Sequence, residues 1–302
     1  MDKVKLVPSL SEDAPPDKME AILWGQGNES CAFHTAALLD PLAWPGLQEL
    51  LKEYETESLA LFSGYIDREH AEIMPRCVML TQSSPLALQL AHSLPERGAL
   101  FLRWEAARKK SLADVAAWLS RAGRAWLPDG RGVWFRWYDP IIFSDFWPLA
   151  HESQRAFLMG DWIDCIWLFH PIHKQWEIFP NARDARLPER LDISAEQVER
   201  MGENSFERFI HRVVMRLHAE RACLPVTVLE PYVRQSIQAA EEHGITEQDA
   251  LAGIACLDAR SGWRLWDDAD TLALLHAPGR SDREKVQALE IRIEQHNRRE
   301  TL

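Results

Sequence analysis

Between residues 33 and 180, short apolar or alternating runs are separated by longer segments whose apolar positions fall three and four apart. The short runs at 33–39, 58–62, 76–80, 99–104, 124–127 and 133–138 predict strands, and the segments 45–54, 85–94 and 112–121 predict helices. Pro45 and Pro85 suit a first helical turn, where the missing N–H costs nothing. Ser111 followed by Asp114 approximates a capping box before the third helix. Residues 141–158 read as one or two short helices broken by Pro148. Residues 163–169 and 175–179 read as a hairpin around the turn from His170 to Lys174. The alternation predicts a fold of α/β (α+β) class, in which an N-terminal layered mixed-sheet lobe with flanking helices occupies 33–180.

The pattern changes after Phe179. The stretch from Pro180 to Pro188 is polar and bounded by prolines, which places a linker at 181–192. Residues 193–302 then carry only helical periodicity, an all-helical C-terminal lobe. Ser194 with Gln197 starts one helix, and Phe206, Ile210, Val213, Val214 and Leu217 form its apolar stripe. Pro225 ends it. A second helix is expected over 231–243 with Gly244 as its C′ residue, a third is capped by Thr246 and runs through Ala250, Ile254 and Leu257, and a last amphipathic segment over 281–297 places Val286, Leu289 and Ile293 on one face. Residues 1–32 read as an N-terminal arm and first helix without a signal-peptide apolar region.

The most informative string is Val133 to Pro140, entered through Pro128-Asp129-Gly130-Arg131-Gly132. Asp129-Gly130 is a tight-turn signal, and the bulky residues after it predict a strand that Pro140 ends. Val133, Phe135 and Trp137 fall on one side and Trp134, Arg136 and Tyr138 on the other, so a strand covered on both faces is expected. A buried Arg136 then requires a carboxylate partner.

The same string resembles the signature of the adaptor, or effector chaperone, family of bacterial type VI secretion systems. The resemblance runs through Leu127-Pro128-Asp129-Gly130-Arg131, Arg136 and Tyr138-Asp139-Pro140, with Trp137 where the family usually has Phe. In-order likenesses accompany it from Ala36-Ala37-Leu38-Leu39-Asp40 through Leu59 to Gly64 and Pro75 to Leu80. They continue to Leu158-Met159-Gly160, where Asp161 replaces the family's Pro, and to His243-Gly244-Ile245-Thr246. The resemblance implies a non-enzymatic protein without cofactor that holds a toxic effector, often through a PAAR- or Rhs-bearing region. It further implies that such a protein loads the effector onto the VgrG spike and itself stays in the cytoplasm. It also implies that Asp129, Gly130, Arg136, Tyr138, Asp139 and Pro140 are signature residues with a structural role.

Charge and cysteine content narrow the classes further. The formal charge is −12, with 24 acidic against 17 basic residues up to Pro180 and 22 against 17 beyond it, so neither part is a cationic platform for nucleic acid. The five cysteines are widely spread with no C-x-x-C spacing, which disfavours a disulfide framework or a structural zinc site and favours a reducing compartment. No stretch reaches the ~18 uninterrupted apolar residues of a membrane span.

Candidate chemistry is sparse. Gly25-Gln26-Gly27-Asn28-Glu29-Ser30 lacks the third glycine of a dinucleotide loop and puts Glu29 where a pyrophosphate would lie, so a plain loop is the better reading. His170 and His173 with Asp161 and Asp164 read as a hairpin turn with the carboxylates at the far end of the strand, and His211 and His218 as packing or surface residues. Arg136, Tyr138 and Asp139 read as an ion pair and a turn in preference to a catalytic trio. Walker, G-x-S-x-G, H-E-x-x-H and kinase signatures do not occur. Trp263, Arg264 and Trp266 lie in a polar segment after a helix and are partner-contact candidates, since Trp and Arg are enriched at interface hot spots. Val286, Leu289 and Ile293 are a second candidate, against the plainer reading of a helix docked on its own lobe. Two rivals to an adaptor stand. One is a small-molecule enzyme on a doubly wound sheet with a site near Gly64, Gln82 and Arg103; the other is an immunity protein that neutralises a toxin.

Overall fold

The computed structural model describes residues 5–6, 23–24, 33–62, 72–82, 84–181, 186–220, 224–262 and 264–300. The loop at 25–30, Gly64, Cys31, Cys223 and Trp263 lie outside these residues. The chain divides into two compact units, Met1–Met201 and Gly202–Leu302.

The first unit is built on a seven-stranded sheet in the order β1-β9-β8-β5-β2-β4-β3. Its strands are β1 (Lys5–Leu6), β2 (Phe33–Leu39), β3 (Ser58–Ala60), β4 (Arg76–Leu80), β5 (Ala99–Glu105), β8 (Cys165–His170) and β9 (Gln175–Pro180). Every pairing in this sheet is antiparallel, so it is neither mixed nor doubly wound. The alternation of strand and helix suggested otherwise because β4 and β5, both antiparallel to β2, run parallel to each other on its two sides. The helix between them makes a split crossover, whose sequence has the same strand-helix-strand order as a parallel unit.

Helices cover both faces. Ala37, Leu39, Val78, Leu80, Ala99 and Phe101 face α1 (Leu47–Glu53) and α2 (Pro85–Arg97), which bury Leu47, Leu51, Leu86, Leu90 and Leu94 against them. Ala36, Leu38, Leu100, Leu102, Trp104, Ile166 and Leu168 face the other way, into a core shared with α3 (Leu112–Ala122), α4 (Pro140–Phe146) and α5 (Glu152–Met159). Pro85 stands at the start of α2 with Ser84 as its cap, and Ser111 and Asp114 form the capping box of α3. At the end of α5, Gly160 has φ of 64°, and a Cβ there would lie 3.1 Å from the Trp118 indole, so glycine closes the turn whether or not a proline follows.

A second, three-stranded sheet has the order β10-β6-β7, with β6 (Arg124–Trp126) antiparallel to β7 (Gly132–Trp134) and parallel to β10 (Leu191–Asp192). This corrects two expectations. Leu191 is fully buried in the core of the first unit, so the end of the expected linker at 181–192 belongs to that unit, and the division between the units falls later, within α6 (Ala195–Glu220). The strand expected over 133–138 ends at Trp134, because the chain turns through 137–139 to meet the cap of α4.

The second unit contains the rest of α6 with α7 (Val226–Glu242), α8 (Gln248–Arg260), α9 (Ala269–Leu275) and α10 (Asp282–Glu300). Ile210, Val213, Val214 and Leu217 are buried as the stripe predicts, whereas Phe206 is exposed. α7 starts before the expected 231 and carries Pro231 within it, forgoing one hydrogen bond to the carbonyl four residues back. Asp282 caps α8 from a distance: its Oδ2 accepts from Thr246 N at 2.7 Å and Glu247 N at 3.1 Å. These backbone donors hold its carboxyl below its ordinary range. A depressed carboxylate stabilises the fold above the ordinary range, near pH ~4, and the contribution disappears as pH falls through the lowered value. Asp282→Ala should therefore lower the urea midpoint of this unit at neutral pH, and the difference from wild type should shrink at pH ~3.

Cys77, Cys165 and Cys256 are free thiols, and burial pushes the Cys77 thiol up. Among the described residues no helix is long and apolar enough to cross a membrane.

Candidate interaction site

The signature residues assemble one local unit. Leu127 N donates to Arg131 O and Gly130 N to Leu127 O, both at 2.9 Å, closing the turn between β6 and β7. Gly130 sits there at φ of 83°, a conformation glycine adopts without strain. Asp129 accepts from Arg131 N at 3.0 Å and from Arg131 Nε at 2.6 Å.

Downstream of β7 the alternation persists although the strand does not. Phe135 and Trp137 point into the core at 7% and 0% exposure, while Trp134 and Arg136 face out. Among the described residues only the Phe135 and Trp137 face is fully buried, which corrects the expectation of a strand buried on both. Arg136 still has its carboxylate partners: Nη2 donates to Asp40 Oδ2 at 3.0 Å and to Asp139 Oδ2 at 3.3 Å. Asp40 stands at the end of β2 with only 8% of its side chain exposed, against 45% for Arg136. Asp40 also accepts from Leu42 N at 3.0 Å. Burial opposes the guanidinium charge, and the nearby Asp139 and Asp40 outweigh it, so the Arg136 pKa moves up. Burial first, and then the same carboxylates, push the Tyr138 phenol up against the pull of Arg136.

Asp139 does two things. Its Oδ2 meets Arg136, and its Oδ1 caps α4 by accepting from Ile141 N at 2.9 Å, with Pro140 in the first turn. Asp139→Ala should cost about 1 kcal/mol through the cap, with little added by the half-exposed ion pair. Thermal melts at low and high salt separate the two: a salt-independent loss identifies the cap.

The open face of the small sheet is the part that sequence reasoning missed. The register pairs Arg124 with Trp134 and Trp126 with Gly132, so these four share one face, and Ala125 and Leu191 fill the other as core. Trp134 is 47% exposed and packs against Phe62, with ring centroids 4.8 Å apart. The Arg124 guanidinium lies 5.4 Å from the Trp134 ring, and that of Arg190 lies 5.3 Å from Trp126. Gly132 contributes no side chain, leaving a slot of about 190 Å³ lined by Arg124, Trp126, Gly132 and Trp134. The available signal was the spacing of Arg124, Trp126 and Trp134 about a hairpin turn.

Trp266, Val286, Leu289 and Ile293 pack within the second unit. Trp266 Nε1 donates to the buried Asp258 Oδ2 at 3.0 Å, and His243 stacks on its ring at 5.5 Å. Arg264 is exposed. Leu289 is fully buried, and Val286 and Ile293 pack against the same core, so as placed this stripe docks α10 on its own unit. The turn at His170 is a hairpin, in which His170 Nδ1 accepts from Ile172 N and His173 N, both at 3.2 Å. Arg103 lies in β5, 4.6 Å from the Phe33 ring. Among the described residues no three His, Cys, Asp or Glu side chains gather as a metal set.

A family model described as a domain of unknown function, DUF4123, matches residues 37–156, less than half of the chain. The match runs from β2 to α5 and includes Asp40, the Asp129-Gly130 turn, Arg136 and Asp139. No significant match is found among curated proteins or solved structures.

Proposed function

We propose that this chain is a non-enzymatic adaptor of a type VI secretion system. It holds a toxic effector, PAAR- or Rhs-linked in many such systems, in the cytoplasm of the producing cell and loads it onto the VgrG spike. The observation that carries this reading is positional: the family-model match covers 37–156, the segment that holds the adaptor-like signature. The local chemistry supports it. The titratable groups of the signature are spent on one another and on a helix cap, with Arg136 on Asp40 and Asp139 and Asp139 on α4. What remains outward is an aromatic and arginine surface suited to a protein partner.

Co-purification tests the reading. The tagged chain is co-expressed with the VgrG protein and the toxin encoded beside it and recovered at two salt concentrations. Recovery of both proteins is expected. Recovery of the toxin alone, with its activity abolished, would make the chain an immunity protein, and recovery of neither would overturn the secretion reading.

A further inference from the structure

We propose that His243 and His276 of the second unit bind a divalent transition cation of the zinc and copper class, with water in the remaining positions. The proposal does not depend on the adaptor reading. His243 Nδ1 and His276 Nε2 lie 3.1 Å apart. Two nitrogens held ~2.0–2.1 Å from one cation stand ~3.0 Å apart at square or octahedral angles and ~3.3 Å apart at tetrahedral ones, so the pair already has the spacing of two ligands. The hydrogen bond between the rings does not bar the cation. A neutral imidazole can carry its proton on either nitrogen, so both facing nitrogens can present a lone pair, and the exposed His276 can turn its ring to aim its own.

Two features of the fold favour a cation there. His243 is the C-cap of α7 and His276 that of α9, and neither helix has a basic residue in its last turn. The terminal carbonyls of both helices carry partial negative charge, and the exposed Glu241 and Glu242 add to it at the end of α7. The second feature is orientation. The His243 ring stacks on Trp266 at 5.5 Å with 11° between the planes. Trp266 Nε1 donates to Asp258 Oδ2 at 3.0 Å, and Asp258 Oδ1 accepts from Leu265 N at 3.0 Å. A buried carboxylate of α8 thus fixes the plane of one ligand, the preorganisation a metal site needs. Among the described residues no third His, Cys, Asp or Glu joins the pair, which gives the other positions to water. Imidazole ligands select zinc, copper or nickel over calcium and magnesium, which take oxygen. The bound cation joins the ends of α7 and α9, through residues 33 apart in sequence, and so fastens the second unit.

The test uses the full chain, freed of metal by a chelator, and Zn2+ alone as the probe in isothermal titration. The variants are His243→Gln and His276→Gln. The wild type should bind a Zn2+ that each variant binds at least ~10-fold more weakly. Zn2+ should raise the thermal melt of the wild type and leave that of the variants in place. His276 is exposed, so His276→Gln should melt like the wild type before Zn2+ is added. Cu2+ then counts the ligands: its electron paramagnetic resonance spectrum should show splitting from two nitrogens in the wild type and from one in His276→Gln. A wild type that binds no Zn2+, or a His276→Gln variant that binds it as the wild type does, would overturn the assignment. Neither result touches the adaptor reading, and failure of that reading leaves the site standing.

Discussion

Trp137→Ala is expected to lower the stability of the first unit by about 3–5 kcal/mol, whereas Trp137→Phe is expected to cost about 1 kcal/mol or less. Trp137 is fully buried, and its ring centroid lies 6.4 Å from that of Phe143 in the core beneath α4. Removing the indole leaves a cavity that the α4 aromatics cannot refill without losing their own contacts. They are held in a chain, with Phe143 at 5.1 Å from Trp147 and 5.0 Å from Phe179. Phe is different because the Trp137 indole nitrogen is buried with no hydrogen-bond partner among the described residues. Replacing it discards an unsatisfied donor, which offsets most of the lost apolar contact. Phe also stands at this position in the adaptor-like pattern. Urea unfolding followed by far-ultraviolet circular dichroism measures both. A Phe variant as damaged as the Ala variant would mean that the indole N–H is bonded and that the packing account is wrong.

Gln197→Ala is expected to cost about 2–4 kcal/mol, well beyond an ordinary capping loss of about 1 kcal/mol. Gln197 and Gln154 are 3% and 7% exposed and bond reciprocally, Nε2 to Oε1, at 2.8 and 3.0 Å. Gln197 also accepts from Ser194 N at 2.9 Å and donates to Leu149 O at 2.9 Å. Gln154 donates to Asp192 O at 2.6 Å. One substitution therefore orphans several buried groups at once and loosens the start of α6 together with β10. Amide exchange should quicken at 149–156 and 191–201. The double variant with Gln154→Ala should cost less than the sum of the singles, since the two side chains satisfy each other. A loss below about 0.5 kcal/mol would show that water replaces the amide network.

Much of this architecture was legible because its signals are local. Ser194 and Gln197 announce the cap of α6, Ser111 and Asp114 that of α3, Pro85 the start of α2, and Gly244 the end of α7. Alternation placed most strands of the main sheet within a residue or two. Sheet direction was not legible, since a split crossover and a parallel unit share the same order of elements. Arg136 announced its need for a carboxylate, and Asp139 lies three residues away. Asp40, 96 residues distant, becomes its partner only through the pairing of β2 into the sheet. The open face was missed for a related reason. A run of branched and aromatic residues from 133 to 138 reads as buried on both sides, and only the turn into the Asp139 cap leaves Trp134 facing out. Leu191 reads as part of a linker because one apolar residue beside an acidic one does not announce a strand, although it suffices to fill a core position beside β6.

The most direct test of the central claim is made in the producing bacterium. The gene for this chain is deleted, and the neighbouring toxin and the VgrG spike are both followed in the culture medium. The adaptor account predicts that the toxin disappears from the medium, that the spike is still exported, and that the wild-type gene restores the toxin. Unchanged export of the toxin in the deletion strain would contradict it.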